Sequence, residues 1–147
     1  LLKINSIENE MDNVLRQKYD LITKIINLLD NEKENDLQKY IDETKDQKYS
    51  SFEFDRKLIE IENEVTSFKA SNKLDKNKEI NDNIYLLENL DTKFKAAETY
   101  YNENIYVYNN LVSKFPSKFV AKCIHLKEKK YFDGKDMYDK NIKDFKF

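Results

Sequence analysis

The chain has 147 residues, of which 37% are charged and 39% hydrophobic, and its net charge is −2. This length fits one domain with a core of its own, and a single glycine and a single proline favour amphipathic helices over strands and hairpins. The near-neutral charge gives no overall attraction to nucleic acid, and only Arg16 and Arg56 could contact bases or phosphates in a bidentate manner. We therefore expect an all-helical protein that does not bind nucleic acid.

The first half of the chain predicts three helices. Apolar positions at alternating steps of three and four indicate one long helix over about residues 3–30. Its seam is Ile4, Ile7, Met11, Val14, Lys18, Leu21, Ile25 and Leu28. The polar cluster at 31–36 predicts either a kink or a full reversal. A helix of about three turns then starts near Leu37, and another covers about 54–68, with a serine at 50–51 available to cap it.

The second half predicts one helix that is longer still. Its seam indicates a helix over about residues 77–114, roughly 57 Å in length. Pro116 cannot continue a helix because it lacks an N–H donor and its ring clashes with the preceding turn. A short apolar stripe from Phe119 to Ile124 then predicts a small helix on the end of the bundle.

These elements predict an all-α fold. The expected architecture is an antiparallel up-and-down bundle of four helices, the first and last of them long, with a short docked C-terminal helix. We assign the bundle to residues 1–132 and a basic, frayed C-terminal tail to residues 133–147.

Histidine, cysteine and glycine each occur once, whereas the many carboxylates are typical of solvated helix surfaces. Lys122 stands three residues before the only histidine, His125, which excludes the Glu-x-x-His pairs of di-metal bundles. Cys123 and His125 diverge on a helix, and we expect Cys123 to be a buried free thiol. The sequence therefore predicts no catalytic residue, no metal and no cofactor. The alternative, an unrecognised enzyme or ligand-binding bundle, predicts a concave pocket that holds a carboxylate of shifted pKa.

Tyrosine and asparagine are concentrated in the last long helix. The residues concerned are Tyr100, Tyr101, Asn102, Tyr106, Tyr108 and Asn109. One interpretation is core packing with the hydroxyl groups at the rim. The other is an exposed ridge that binds a partner, because aromatic residues are enriched in interface hot spots. The exposure of Tyr100 and Tyr106 separates the two interpretations.

Two charged features remain open. Arg16 and Asp20 are four residues apart and can bridge along the helix face, while the rarity of arginine also suggests a contact from Arg16 to another helix. Residues 118–147 carry nine lysines against five acids. This lysine-rich segment is either a solvated terminus or a contact for an anionic membrane surface. The contacts expected in that case are Lys127, Lys129 and Lys130.

Several short elements resemble the LemA family. Residues 16–25 read RQKYDLITKI and resemble its basic stretch followed by Asp-Leu-Ile. Further elements are similar to its paired Tyr-Asn, Phe-Pro-Ser and terminal Tyr-Phe motifs, in the same order: Tyr101-Asn102, Tyr108-Asn109, Phe115-Pro116-Ser117 and Tyr131-Phe132. The resemblance spans about residues 4–132. It departs at Thr23, where the family typically has proline, and at 67–69, which lack its Glu-Ala-Tyr-Pro character.

The resemblance implies a helical bundle without an established enzymatic activity. It also implies a bacterial protein with an N-terminal transmembrane helix, which would lie upstream of Leu1. We therefore expect a non-enzymatic, membrane-anchored scaffold or interaction module in the cytoplasm, with an unidentified protein partner. The oligomeric state is left open.

Overall fold

The computed structural model describes residues 1–114 and 117–133. Within these ranges the chain forms five α-helices and no strand. The helices are α1 (Leu2–Glu32), α2 (Gln38–Lys45), α3 (Ser51–Ser71), α4 (Lys78–Ser113) and α5 (Ser117–Cys123), with a 3-10 turn at Leu74–Lys76 before α4. The predicted all-α fold is confirmed, with α1 and α4 as its two long helices.

α4 lies antiparallel to α1 along most of its length. At the start of α4, the Asn77 side chain donates a hydrogen bond to Glu32 at the end of α1, over 2.9 Å. Near the other end, the Tyr101 hydroxyl lies 3.3 Å from the Glu8 carboxylate. The two longest helices therefore pair in the predicted antiparallel arrangement.

α3 runs in the same direction as α1. The Ser51 hydroxyl at its start donates to Asp12, over 2.7 Å, and Asn72 at its end accepts a hydrogen bond from Lys33. The chain must therefore turn back between α1 and α3, so the polar cluster at 31–36 is a full reversal and α2 is the returning helix.

α2 is shorter than predicted, with eight residues instead of three turns. The chain has to return from Glu32 to the level of Asp12, a distance of about 30 Å along α1. α2 spans about 12 Å of this, and the non-helical residues 46–50 cover most of the remainder, because extended chain spans about 3.3 Å per residue.

Ser50 caps α3 in the manner that the sequence suggested. Its hydroxyl accepts a hydrogen bond from the Glu53 N–H at 3.2 Å, and the Glu53 carboxylate accepts one from the Ser50 N–H at 2.9 Å. This reciprocal capping box satisfies two backbone donors that the first turn of a helix leaves unpaired. It therefore fixes where α3 begins.

The core follows the predicted seams. α1 packs against both α3 and α4, and the largest fully buried apolar side chains are Leu15, Ile22, Ile25, Ile26, Leu29, Ile41, Phe52, Phe54, Leu58, Ile61 and Ile80. Leu21 and Leu28 of the predicted α1 seam are only half-buried. One seam position is charged, because Lys18 lies in the core with 2% of its surface exposed.

α5 follows the end of α4 and packs against it. α4 ends at Ser113, before Pro116, which lies outside the described residues together with most of the predicted tail. The expectation that Cys123 is buried is wrong, since the thiol is exposed. α5 buries Ala121, and a residue two positions further on points about 160° away on a helix.

Among the described residues, no helix has the length and apolar character that a membrane crossing requires.

Candidate functional site

Lys18 lies where α1, α3 and α4 meet, and its ammonium group contacts three carboxylates. Nζ is 2.7 Å from Asp91 Oδ1, 3.1 Å from Glu62 Oε1 and 3.6 Å from Asp55 Oδ1. It also lies 5.7 Å from the centre of the Phe94 ring. Charges in a core are tolerated only with such partners. Lys18 therefore links three helices through ion pairs.

Burial and charge shift the pKa values of this cluster. Burial acts most strongly on Lys18 and disfavours its charge, but the carboxylates of Glu62, Asp91 and Asp55 together raise the pKa of Lys18 above its ordinary value. Burial raises the pKa of Glu62 to about 7; Lys18 opposes this shift and Asp91 adds to it. Burial also raises the pKa of Asp55, against the influence of Lys18. One carboxyl of the cluster thus titrates near neutral pH.

The cluster forms the floor of an open cleft of about 570 Å³. Its walls are aromatic, and the Phe132 ring meets Phe52 and Phe94 edge-on, with ring centres 5.5 Å and 5.6 Å apart. The charged lining groups are Lys18, Arg56, Lys95, Asp55, Glu62, Asp91, Glu98 and Asp133. Fully ionised, the lining would carry five acids against three bases. The ligand-binding alternative predicted a concave pocket with a carboxyl of shifted pKa, and this cleft has both features.

The carboxylates around Lys18 are not arranged as a metal site. In the part of the chain that the structure describes, no group of three or more His, Cys, Asp or Glu side chains could hold a metal ion. The physical reason lies in Lys18, whose ammonium group occupies the position between the three carboxylates that a cation would take.

A non-helical segment, residues 126–133, runs along α4 and closes one side of the cleft; we call it the strap. Asn102 accepts a hydrogen bond from the Phe132 N–H at 2.8 Å and donates one to the Phe132 carbonyl at 3.3 Å. Asn109 does the same with Lys129, at 2.8 Å and 2.9 Å. Each asparagine therefore pairs with the strap as a neighbouring strand would.

Two tyrosines add hydrogen bonds beside these asparagines. Tyr101 donates to the carbonyl of Lys130 at 3.2 Å, and Tyr108 donates to the carbonyl of Lys127 at 2.8 Å. Seven residues of helix rise about 10.5 Å, and three residues of extended chain span about 9–10 Å. The Tyr-Asn pair recurs after seven residues of α4, and its partners on the strap recur after three residues. The two repeats match because these two segments have nearly the same length.

The LemA family model matches residues 8–147. This chain belongs to the LemA family. The match covers every element on which the resemblance rested, including both Tyr-Asn pairs, and continues to the last residue. No curated protein and no solved structure matches the chain.

Some of the Tyr-Asn residues of this LemA protein fit the interpretation as core packing, and others are exposed. Tyr101 and Tyr108 are buried and their hydroxyls bond to the strap, and burial, with a smaller effect of Glu8, raises the pKa of Tyr101. Tyr100 and Tyr106 are 41% and 63% exposed. They do not form one ridge, because positions six residues apart point about 120° away from each other on a helix.

Tyr100 belongs instead to an exposed apolar line on α4, which we call the outer stripe. It consists of Leu86, Tyr100, Val107 and Leu111, all exposed. The first three occupy positions separated by multiples of seven, so they share one side of the helix. Three of these four residues, Tyr100, Val107 and Leu111, lie in the second half of α4.

The other predicted residues lie outside the cleft. Arg16 and Asp20 are exposed, each two positions from Lys18 and so on the opposite side of α1. Lys129 forms an ion pair with Glu8 at 3.2 Å. Lys127 and Lys130 are exposed.

The Lys18 cluster was missed in the sequence, although a signal was present. Lys18 occupies a seam position of α1, and two carboxylates stand beside seam residues of α3, Asp55 after Phe54 and Glu62 after Ile61. A charge in one seam with opposite charges beside another suggests a buried ion pair.

Proposed function

We propose that this LemA protein is a non-enzymatic interaction module whose rigid bundle presents the outer stripe of α4 to a protein partner. The observation that supports it most directly is the exposure of Tyr100, Val107 and Leu111 on one side of a long helix. Aromatic residues are enriched at interfaces, and heptad spacing is the pattern against which a second helix packs. The stripe therefore fits a helical segment of a partner.

The proposal includes attachment to a membrane by a transmembrane helix upstream of Leu1, with the bundle in the cytoplasm. Membership of the LemA family supports this attachment. The complete reading frame tests it, because an anchor requires an apolar run of about 18 residues before Leu1. A reading frame without such a run would remove this part of the proposal.

Site-specific photo-crosslinking in cells tests the interaction itself. A photoreactive amino acid replaces Tyr100 or Val107 of the outer stripe, and the matched control carries it at Glu64, an exposed position of α3. We expect both stripe positions to yield an adduct with the same protein and the α3 position to yield none. Stripe positions that give no protein adduct would refute the proposed interface.

A further inference from the structure

We infer that the chain docks on anionic membranes through the end of the bundle where α1 begins and α4 ends, which we call the basic end. Its apolar residues are Leu2, Leu111, Phe119, Val120 and Ile124, and its lysines are Lys3, Lys114, Lys118 and Lys122. This surface shares Leu111 with the outer stripe, but it requires neither the protein partner nor the transmembrane helix of the proposed function.

The apolar part of the basic end has no cover in the described structure. Phe119 is 68% exposed, and each of the other four apolar residues exposes more than half of its surface. Between them lies an apolar groove of about 400 Å³, bordered by Leu1, Val112 and Ala121 among others. Contiguous apolar surface of this kind marks a site of association.

The charge at this end differs from that of the chain as a whole. Residues 104–127 contain four lysines and no aspartate or glutamate, although the chain has 28 acids in 147 residues. Residues 1–7 are also free of acids and include Lys3. Because α1 begins where α4 ends, the two acid-free segments meet at one end of the molecule. The basic end is therefore positive on a protein whose net charge is negative.

This combination fits a lipid surface better than a protein partner. Lysine is depleted in the buried centre of protein interfaces, whereas helices that lie in a membrane interface place lysines beside apolar residues. Lys118 and Lys122 of α5 alternate with Phe119, Val120 and Ile124 in this manner. Long lysine side chains can reach headgroups while the apolar groups next to them enter the acyl boundary.

The lysines of the basic end differ from those that the sequence suggested, of which Lys127 and Lys130 are also exposed. Lys129 pairs with Glu8, and the backbone of the strap is held by the two asparagines and two tyrosines of α4. The backbone of the strap is therefore bound to the bundle. Among the described residues that follow α4, α5 is the element whose lysines stand next to exposed apolar side chains.

Tryptophan fluorescence tests membrane insertion at a single position, because the chain contains no tryptophan. The full chain with Phe119→Trp is mixed with vesicles of phosphatidylcholine alone or with about 30% phosphatidylglycerol. With the anionic vesicles we expect a blue-shifted emission and quenching by brominated lipid. The matched control, Tyr85→Trp, replaces an exposed aromatic at the other end of α4 and should show neither.

Vesicle flotation tests the charge. Lys118→Glu with Lys122→Glu should weaken binding by at least fivefold per lysine, as should about 0.5 M salt. The control pair, Lys24→Glu with Lys48→Glu, changes the same charge at exposed positions elsewhere and should bind normally. Circular dichroism verifies that each variant is helical.

Three results would overturn the inference. They are the absence of binding to anionic vesicles, equal binding to neutral ones, and an emission from the Phe119→Trp variant that responds to vesicles no differently from that of the control. None of them bears on crosslinking at the outer stripe.

Discussion

Different elements cover α1 and α4 in the middle of the bundle and at its basic end. In the middle, α3 and α4 both pack on α1, and Lys18 joins all three through ion pairs. α3 begins level with Asp12, so a different element must cover the first turns of α1. There the strap takes its place and contributes backbone hydrogen bonds. A strap covers less surface than a helix, and apolar groups such as Leu2, Leu111 and Phe119 are exposed at that end.

The largest effect is expected in the middle. Lys18→Met removes the cation that three carboxylates share, and it should lower the free energy of unfolding by roughly 3–5 kcal/mol. Urea denaturation measures this change. The control Lys24→Met affects an exposed lysine and should stay within about 0.5 kcal/mol. Equal effects of the two substitutions would mean that the cluster does not hold the helices together.

At the junction of the two regions, Phe132→Ala empties the space between Phe52 and Phe94. We expect a loss of roughly 2–4 kcal/mol, because truncation of a buried phenylalanine leaves a cavity. Phe119→Ala is the matched control, since that ring is exposed and its loss should hardly change stability. Thermal unfolding compares the two variants. A stable Phe132→Ala protein would show that the strap does not contribute to the core.

The stability of the middle of the bundle should also depend on pH. Burial raises the pKa of Glu62 from 4.5 in the unfolded chain to about 7. Between these values the folded protein holds a proton that the unfolded chain has released, so stability should fall as pH rises through this window. The decrease should be on the order of 1–3 kcal/mol.

Urea denaturation at several values between pH 5 and pH 8 measures this slope. Asp55 also has a raised pKa, so the wild-type slope contains more than one group. Glu62→Gln isolates the contribution of Glu62 and should flatten the profile. An identical slope in the variant would assign the pH dependence to other groups.

The smallest effect is expected at the strap. Asn109→Ala removes two hydrogen bonds to Lys129 and should cost about 1–2 kcal/mol. Hydrogen exchange should become faster at the Lys129 amide, while the Lys18 region keeps its protection. The control Asn89→Ala changes an exposed asparagine of the same helix. Protection at Lys129 that survives the substitution would place the attachment of the strap elsewhere.

The sequence predicts the helices well because each seam is a local pattern. The long helices and the capping serine follow from residues close together in the chain, whereas the choice between a kink and a reversal at 31–36 required the contacts between α3 and α1. The Lys18 cluster depends on the register between three helices, and periodicity within one helix does not determine that register. The exposure of Cys123 was misjudged because the short stripe of α5 is compatible with more than one buried face.

The role of the Tyr-Asn pairs was also beyond sequence reasoning. Their partners are backbone groups of the strap, and a backbone group looks the same at every residue. The pairs are visible as a repeated element in the sequence, but the segment that they bind has no repeat that matches them, only the Tyr131-Phe132 element near its end. Only the fold reveals that residues 127–132 lie against them.

The matched spacing of α4 and the strap also restricts how this protein can change in length. A single residue inserted between Asn102 and Asn109 would rotate one pair away from the strap, and one inserted between Lys129 and Phe132 would shift the other partner. Longer relatives should therefore grow by a common unit, seven residues in α4 and in the facing part of α1 together with three in the strap. Each unit would add one further Tyr-Asn pair.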